Sequence, residues 1–179
     1  MIETERLILR AFRDGDREAF AAINGDPRVG DWLGGVIDRA ASDAMLDRIN
    51  SHIQEHGFGF WAAERRADGR LIGAIGLVVA GAQGPLPPGA LELAWRLHPD
   101  AQGQGLATEG AAAARNWAFG NLETDELVAM TASTNLASQA VMRRIGMTPD
   151  PARDFDHPRL AEDHPLRRHV VFAARRADA

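Results

Sequence analysis

Cysteine and tyrosine are both missing from this chain of 179 residues. Without cysteine there are no disulfides, no thiolate metal sites and no thiol nucleophile. Without tyrosine there is no phenol to act as a weak acid. No apolar run approaches membrane-spanning length, and Met1-Ile-Glu-Thr-Glu-Arg6 has neither the basic start nor the apolar core of a signal peptide, so the expected location is cytoplasmic. An excess of positive charge is also lacking. The formal net charge of −5 argues against a general nucleic-acid binder and is compatible with cationic amine substrates. The string Gly-x-x-x-x-Gly-Lys-Ser/Thr does not occur, which excludes a P-loop.

What is present is an ordinary globular composition, 45% hydrophobic and 25% charged, in a length that suits one domain over residues 1–179 with a sizeable core. Arg6 to Phe12 reads as a first strand, and Asp14 or Asp16 caps a helix over Arg17 to Ile23 that Asn24-Gly-Asp-Pro27 stops. Residues 30–35 read as loop. A second helix starts at Ala40 or Ser42 and runs to Glu55, with Ala41, Met45, Ile49 and Ile53 as its core stripe. His52 and His56 share a face of it, but no third ligand accompanies them, so no metal site is expected. Gly59 to Arg66 and Arg70 to Val79 flank Ala67-Asp-Gly69, the signature of an antiparallel hairpin. Residues 80–89, rich in proline and glycine, read as a surface loop. Glu126 to Ala132 is a strand, Asn135 to Met147 a helix, residues 149–165 irregular, and Arg168 to Ala174 the closing strand.

The informative stretch is Leu91 to Glu109: an apolar strand that breaks at Pro99, a Gln102-Gly-Gln-Gly105 turn, and an alanine-rich helix over Leu106 to Phe119. The first turn of a helix leaves N–H groups unpaired and carries partial positive charge, which suits phosphate oxygens. Gly103 and Gly105 allow positive φ and close approach of a pyrophosphate. A dinucleotide fingerprint fits only in part, since Thr108 stands where its third glycine should be. A turn that merely caps the helix also remains open.

Four signals occur in a family order: Thr4-Glu-Arg-Leu-Ile-Leu-Arg10, Leu71-Ile-Gly-Ala-Ile-Gly-Leu77, Gln102-Gly-Gln-Gly-Leu-Ala107, and Asn135-Leu-Ala-Ser138 leading to Arg144-Ile-Gly-Met147. In these the chain resembles the GCN5-related N-acetyltransferase (GNAT) superfamily, and within it the RimJ/RimL-like branch. The resemblance implies an α/β (α+β) acyl-CoA N-acyltransferase fold, with a mixed, mostly antiparallel sheet flanked by helices. The strands at 91–97 and 126–132 would be parallel and splayed at the cofactor site. It implies acetyl-CoA as co-substrate, its pyrophosphate held by the amides of Gln102, Gly103, Gln104, Gly105, Leu106 and Ala107. Leu97, Thr108, Asn135 and Ser138 complete the implied cofactor-contacting set.

Acetyl transfer to an amine needs a neutral nucleophile, a stabiliser for the developing oxyanion and assistance to the departing thiolate. Glu92 stands where some relatives carry a general-base glutamate; its alternative is a solvated strand-edge charge. Backbone N–H groups around Ala94 to Leu97 are candidate carbonyl polarisers. Arg96 and His98 read as exposed strand-end residues. Many family members place a tyrosine where this chain has Met142; Ser138, one turn earlier on that face, is the nearest hydroxyl to assist the coenzyme sulfur. Asn135 either contacts the pantetheine arm or caps its helix. With no thiol for an acyl-cysteine relay, direct attack in a ternary complex is expected.

The expected acceptor is a primary amine, a protein N-terminal α-amine or a small molecule such as a polyamine or aminoglycoside. Trp32, Phe58, Phe60, Trp61 and Trp95 either shape its cleft or belong to the core. No nucleic acid or membrane partner is expected, and the chain is expected to be a monomer or homodimer. The alternative function is a non-catalytic module of the same fold that binds and senses acyl-CoA.

Overall fold

The computed structural model describes residues 1–79, 86, 87 and 89–176. The loop expected at 80–89 lies largely outside the described residues. The chain forms two compact units, one of residues 1–77 and 94–114, the other of 78–93 and 115–179.

In the first unit β1 (Ile2–Glu3), β2 (Leu7–Arg10), β3 (Phe60–Arg65) and β4 (Arg70–Val79) pair antiparallel in chain order. The β3–β4 hairpin closes as expected at Ala67-Asp-Gly69, where Gly69 takes φ +66° and donates to the Arg65 carbonyl at 2.9 Å. The C-terminal half of β5 (Leu91–Leu97) lies against β4, with His98 N–H donating to Ile72 O at 2.8 Å. That approach depends on Gly73, because a Cβ there would stand 2.1 Å from the Arg96 carbonyl.

Helices α1 (Arg17–Asn24), α2 (Pro27–Gly30) and α3 (Arg39–His56) follow β2, and the first turns of α4 (Leu106–Asn121) follow β5. Phe12, Phe20, Leu46, Ala62 and Ala74 form a core cluster with Met45, Ile49, Phe60 and Leu71 packed against it. Three expectations change here. Residues 27–30, partly expected as loop, form a helical turn because Asp26 caps it and Pro27 occupies its first position. In α3 Met45 and Ile49 pack against the core as expected, but the fully buried residues are Ser42 and Leu46, outside the expected stripe, and Ala41 is exposed. The difference is set by a polar contact, since the buried Asn24 amide donates to Ser42 Oγ at 2.9 Å and draws serine inward.

Asp16 is the third change. Its carboxylate does not cap α1; it accepts from Arg10 Nη1 at 2.6 Å and Nη2 at 3.0 Å, while Arg10 Nε reaches Glu64 at 2.7 Å. Burial opposes the charge on Asp16, but the Arg10 guanidinium and the Arg13 N–H hold its pKa below the usual carboxylate range. Stability from this group is present above its unfolded pKa and lost as pH falls through the lowered folded value. Asp16→Ala leaves Arg10 one carboxylate short in a buried site, and the expected cost is about 3–5 kcal/mol in a denaturant titration at pH 7.

In the second unit β6 (Glu126–Ala132) and β9 (Arg168–Arg175) form a long antiparallel ladder, and β5 joins β6 in parallel at Glu92 opposite Val128. Among the described strands this is the parallel pairing in an otherwise antiparallel set. Helix α5 (Leu136–Arg144) follows β6 and buries Val141 and Met142, and Ile145, Met147 and Phe172 are buried as well. The segment 149–165 is more ordered than expected. Thr148–Pro149 (β7) and Phe155–Asp156 (β8) both pair with β9, and Arg153 ties Asp150 (2.9 Å) to Glu126 (2.7 Å) between them. None of the described helices is long and apolar enough to cross a membrane.

Candidate active site

The Gln102–Thr108 loop belongs to the first unit, and its shape follows from side chains that hold the backbone from outside. His98 Nδ1 accepts from the Asp100 N–H and starts a 3-10 turn over Pro99–Ala101. Gln102 Nε2 donates to the Leu97 carbonyl at 3.0 Å and Gln104 Nε2 to the Asp100 carbonyl at 2.6 Å. Leu97 itself is buried, so it meets the loop through its backbone. Gly103 and Gly105 take φ of +72° and +77°, conformations that L side chains rarely adopt.

Helix α4 begins its hydrogen-bond ladder at Glu109 N–H, which donates to Gly105 O. Among the described residues the N–H groups from Gly103 to Thr108 have no backbone acceptor. The stretch Gln102 to Gly105 is exposed. Six successive free donors at a helix N-terminus, with no Cβ at two of the positions, fit a pyrophosphate.

A network that sequence reasoning missed anchors this loop. Glu109 accepts from Thr4 Oγ1 at 2.6 Å, Arg6 N at 2.8 Å and Arg6 Nε at 2.6 Å, and Arg6 Nη1 donates to Gln104 O at 2.9 Å. Burial pushes the Glu109 carboxyl up, but its Thr4 and Arg6 hydrogen bonds outweigh that and hold it below the usual range. The Thr4-Glu-Arg signal and the Glu109 after the loop are thus two halves of one contact. A cavity of about 470 Å³ beside the loop is lined by Glu5, Arg6, Arg65, Arg66, Ala67, Gln104 and Leu106.

The remaining candidates lie in the second unit, on β5, on α5 and at the Asn135 cap between β6 and α5. Glu92 keeps some accessible surface, yet its carboxyl is desolvated and burial pushes its pKa up to about 7. No cation lies close enough to bring it back down among the described residues. The solvated strand-edge alternative is therefore set aside. Asn135 caps α5: its Oδ1 accepts from Ser138 N at 3.1 Å, which commits that oxygen to the helix. Ser138 is half-buried and its Oγ has no hydrogen-bond partner among the described residues. Met142, at the position where many relatives carry tyrosine, is 1% exposed and belongs to the core.

Of the aromatic candidates, Trp61 is core and Trp32 is 44% exposed; Phe58, Phe60 and Trp95 are intermediate. His52 and His56 stack with ring centroids 4.4 Å apart and both meet Phe58. Among the described residues no group of three or more His, Asp or Glu side chains is arranged to hold a metal ion.

Arg96 also departs from expectation. It is not an exposed strand-end residue: its Nη1 donates to Asn24 Oδ1 at 2.5 Å, its Nε is buried, and burial lowers its pKa. Only the placement of α1 and α3 over that side of β5 reveals this.

A family model described as the acetyltransferase (GNAT) domain matches residues 6–148. The chain belongs to the GNAT acetyltransferase family. An uncharacterized N-acetyltransferase, YoaA of Bacillus subtilis (strain 168), is 27% identical over 150 residues, which are 82% of this chain and 81% of that protein. The crystal structure of an acetyltransferase from Agrobacterium tumefaciens str. C58 superposes with a TM-score of 0.76 at 29% identity, over 97% of this chain and 92% of that one. RimL, a ribosomal L7/L12 α-N-protein acetyltransferase in complex with coenzyme A, shares the fold with a TM-score of 0.74 at 16% identity, over 96% of this chain and 95% of that one. This GNAT chain is an acyltransferase with the mixed, mostly antiparallel sheet and flanking helices of its relatives.

Proposed function

We propose that residues 1–179 act as one domain that transfers acetyl from acetyl-CoA to a primary amine by direct attack in a ternary complex. The observation that carries this reading is Glu92, a half-buried, desolvated carboxyl on the strand that runs directly into the loop of free amides. A group with a pKa near 7 is matched to proton transfer from an amine at neutral pH. Acetyl-CoA supplies the acetyl group already activated as a thioester.

Each protein group has a separate task. The amides of Gly103 to Thr108 hold the pyrophosphate and fix the depth of the coenzyme; the Gln102 N–H, expected in that set, donates to Pro99 O at 3.1 Å instead. Glu92 takes the proton from the acceptor ammonium, directly or through water, so that the amine nitrogen is free to form its bond to the acetyl carbon as the bond to sulfur breaks. Ser138 Oγ, which has no protein acceptor, stabilises the departing thiolate by a hydrogen bond. Serine is too weak an acid to protonate it outright, so water completes that transfer. Asn135 positions Ser138 through the cap.

Direct attack predicts intersecting initial-rate lines when acetyl-CoA and acceptor are varied together. Parallel lines would mean an acyl-enzyme and would overturn the ternary complex. The acceptor is sought with an amine and peptide panel, read as coenzyme A thiol release above the hydrolysis background.

A further inference from the structure

The cavity beside the Gln102–Thr108 loop lies wholly within the first unit, and three arginines line it. Two of them are already engaged by carboxylates: Arg65 Nη2 meets Asp68 at 2.5 Å, and Arg6 Nε meets Glu109 at 2.6 Å. Arg66 has no described carboxylate within ion-pair distance. Its Nη1 donates to the Thr4 carbonyl at 2.8 Å, which steadies the exposed side chain, and its Nε and Nη2 make no hydrogen bond to a described residue. Arg6 likewise leaves Nη2 without a described partner, and that nitrogen stands 3.5 Å from where a Cβ on Gly105 would be.

Arg6 therefore borders both the loop of free amides and the cavity. Gln104 and Leu106 are shared in the same way, since they belong to the loop and also line the cavity. A ligand whose pyrophosphate sits on the amides of Gly103 to Thr108 thus reaches the cavity without leaving the first unit. The volume of about 470 Å³ lies in the ordinary range of small-molecule pockets, ~300–1,000 Å³. The wall is chemically mixed. The unused guanidinium N–H groups of Arg66 form a fork that suits a phosphate monoester. Glu5 is exposed and has no ion-pair partner among the described residues, so its carboxylate is free to accept from a hydroxyl. A ribose with a phosphate on one hydroxyl and a free hydroxyl next to it offers both partners at once. Coenzyme A carries such a ribose, joined to its pyrophosphate through the 5′-oxygen.

We infer that this cavity binds the 3′-phosphorylated ribose of the coenzyme, and that Arg66 is the residue by which the protein distinguishes coenzyme A from its 3′-dephospho form. This inference rests on the acetyl-CoA reading above and gives that ligand a second anion contact, made by side chains where the first is made by backbone amides. Arg66 is exposed, so the contact is a charge-assisted fork partly screened by salt rather than a buried pair.

The test is calorimetric binding of acetyl-CoA and of acetyl-3′-dephospho-CoA, which needs neither an acceptor nor turnover. The wild type is expected to bind acetyl-CoA at least about tenfold more tightly at low salt, with the ratio shrinking as ionic strength rises. In Arg66→Gln the ratio should fall towards one, because acetyl-CoA binding weakens while the dephospho form keeps its wild-type Kd. Arg66→Lys, which keeps the charge but not the fork, should retain part of the preference. Equal affinity of the wild type for the two forms, or a preference unchanged in Arg66→Gln, overturns the inference while leaving coenzyme binding and acetyl transfer intact. An equal loss of affinity for both forms in Arg66→Gln also overturns it, since that result assigns Arg66 a structural role through its Thr4 contact. If neither form binds the wild type, the acetyl-CoA reading itself fails and this inference falls with it.

Discussion

Gly105→Asp is expected to abolish acetyl-CoA binding, with Kd rising by at least about 1,000-fold in a calorimetric titration. Two effects add. The φ of +77° at Gly105 lies in the left-handed region, so any side chain there strains the loop that presents the free amides. Aspartate also sets a negative charge against the pyrophosphate, in a cradle whose donors are backbone N–H groups. A Cβ at 105 would stand 3.5 Å from Arg6 Nη2, an ordinary contact, so the new carboxylate is also placed to compete for the arginine that steadies Gln104 O. Gly105→Ala separates the contributions, because it keeps the backbone strain without the charge and should weaken binding by a smaller factor. Unchanged affinity in Gly105→Asp would remove the loop from the coenzyme site.

Glu92→Gln is expected to lower kcat/KM by about 100- to 1,000-fold at pH 8, the range lost with a general base. In the wild type kcat/KM should rise with pH through an apparent pKa near 7, the value to which burial raises this carboxyl. The variant should lose that rising limb. An unchanged pH profile would take Glu92 out of the mechanism.

The same residue predicts a change in stability with a definite sign. Its folded pKa of about 7 lies above the ordinary 4.5, so the protonated form favours the folded state. The protein gives up that stability as pH rises between these two values. Glu92→Gln removes the titration, and the variant should equal the wild type near pH 4 and exceed it at pH 8, by no more than about 3 kcal/mol in denaturant titrations. A more active and less stable wild type is the expected mark of a buried functional carboxylate.

The most legible parts of the sequence were those where the local chain alone decides. Ala67-Asp-Gly69 could close only a hairpin, and β3 and β4 flank it as expected. The glycine pair at 103 and 105 allowed positive φ, and both take it. What stayed hidden depends on neighbours distant in sequence. The two-residue strands β1, β7 and β8 are too short for any periodicity and exist because longer strands offer them an edge. The core face of α3 was legible at Met45 and Ile49 but not at its start, where a serine, Ser42, points inward to meet Asn24 and Ala41 is exposed. Glu109 carried no expectation of its own, because its partners Thr4 and Arg6 lie more than 100 residues back.

The candidate site divides along the same line. The loop is a contiguous string whose backbone chemistry can be read from residue types. Glu92, Arg96 and Ser138 carry side chains whose character is set by what covers them. A glutamate on a strand is as often solvated as buried. Burial pushes the Glu92 carboxyl up to about 7, and packing turns Arg96 from an expected strand-end charge into a partly buried cation held by Asn24. Asn135 was undecided between cap and ligand until its oxygen was found on Ser138 N–H.

The most direct measurement is a mass-spectrometric count of acetylated amine against coenzyme A thiol released, made with the wild-type protein, acetyl-CoA and a panel of amines and peptides. Acetyl transfer predicts that at least one amine gains a single acetyl group in a one-to-one ratio with thiol, at a rate that Gly105→Asp and Glu92→Gln both suppress. Tight binding of acetyl-CoA without any acetylated amine, and with thiol release no faster than background hydrolysis, would contradict it and leave a module that senses the coenzyme without turning it over.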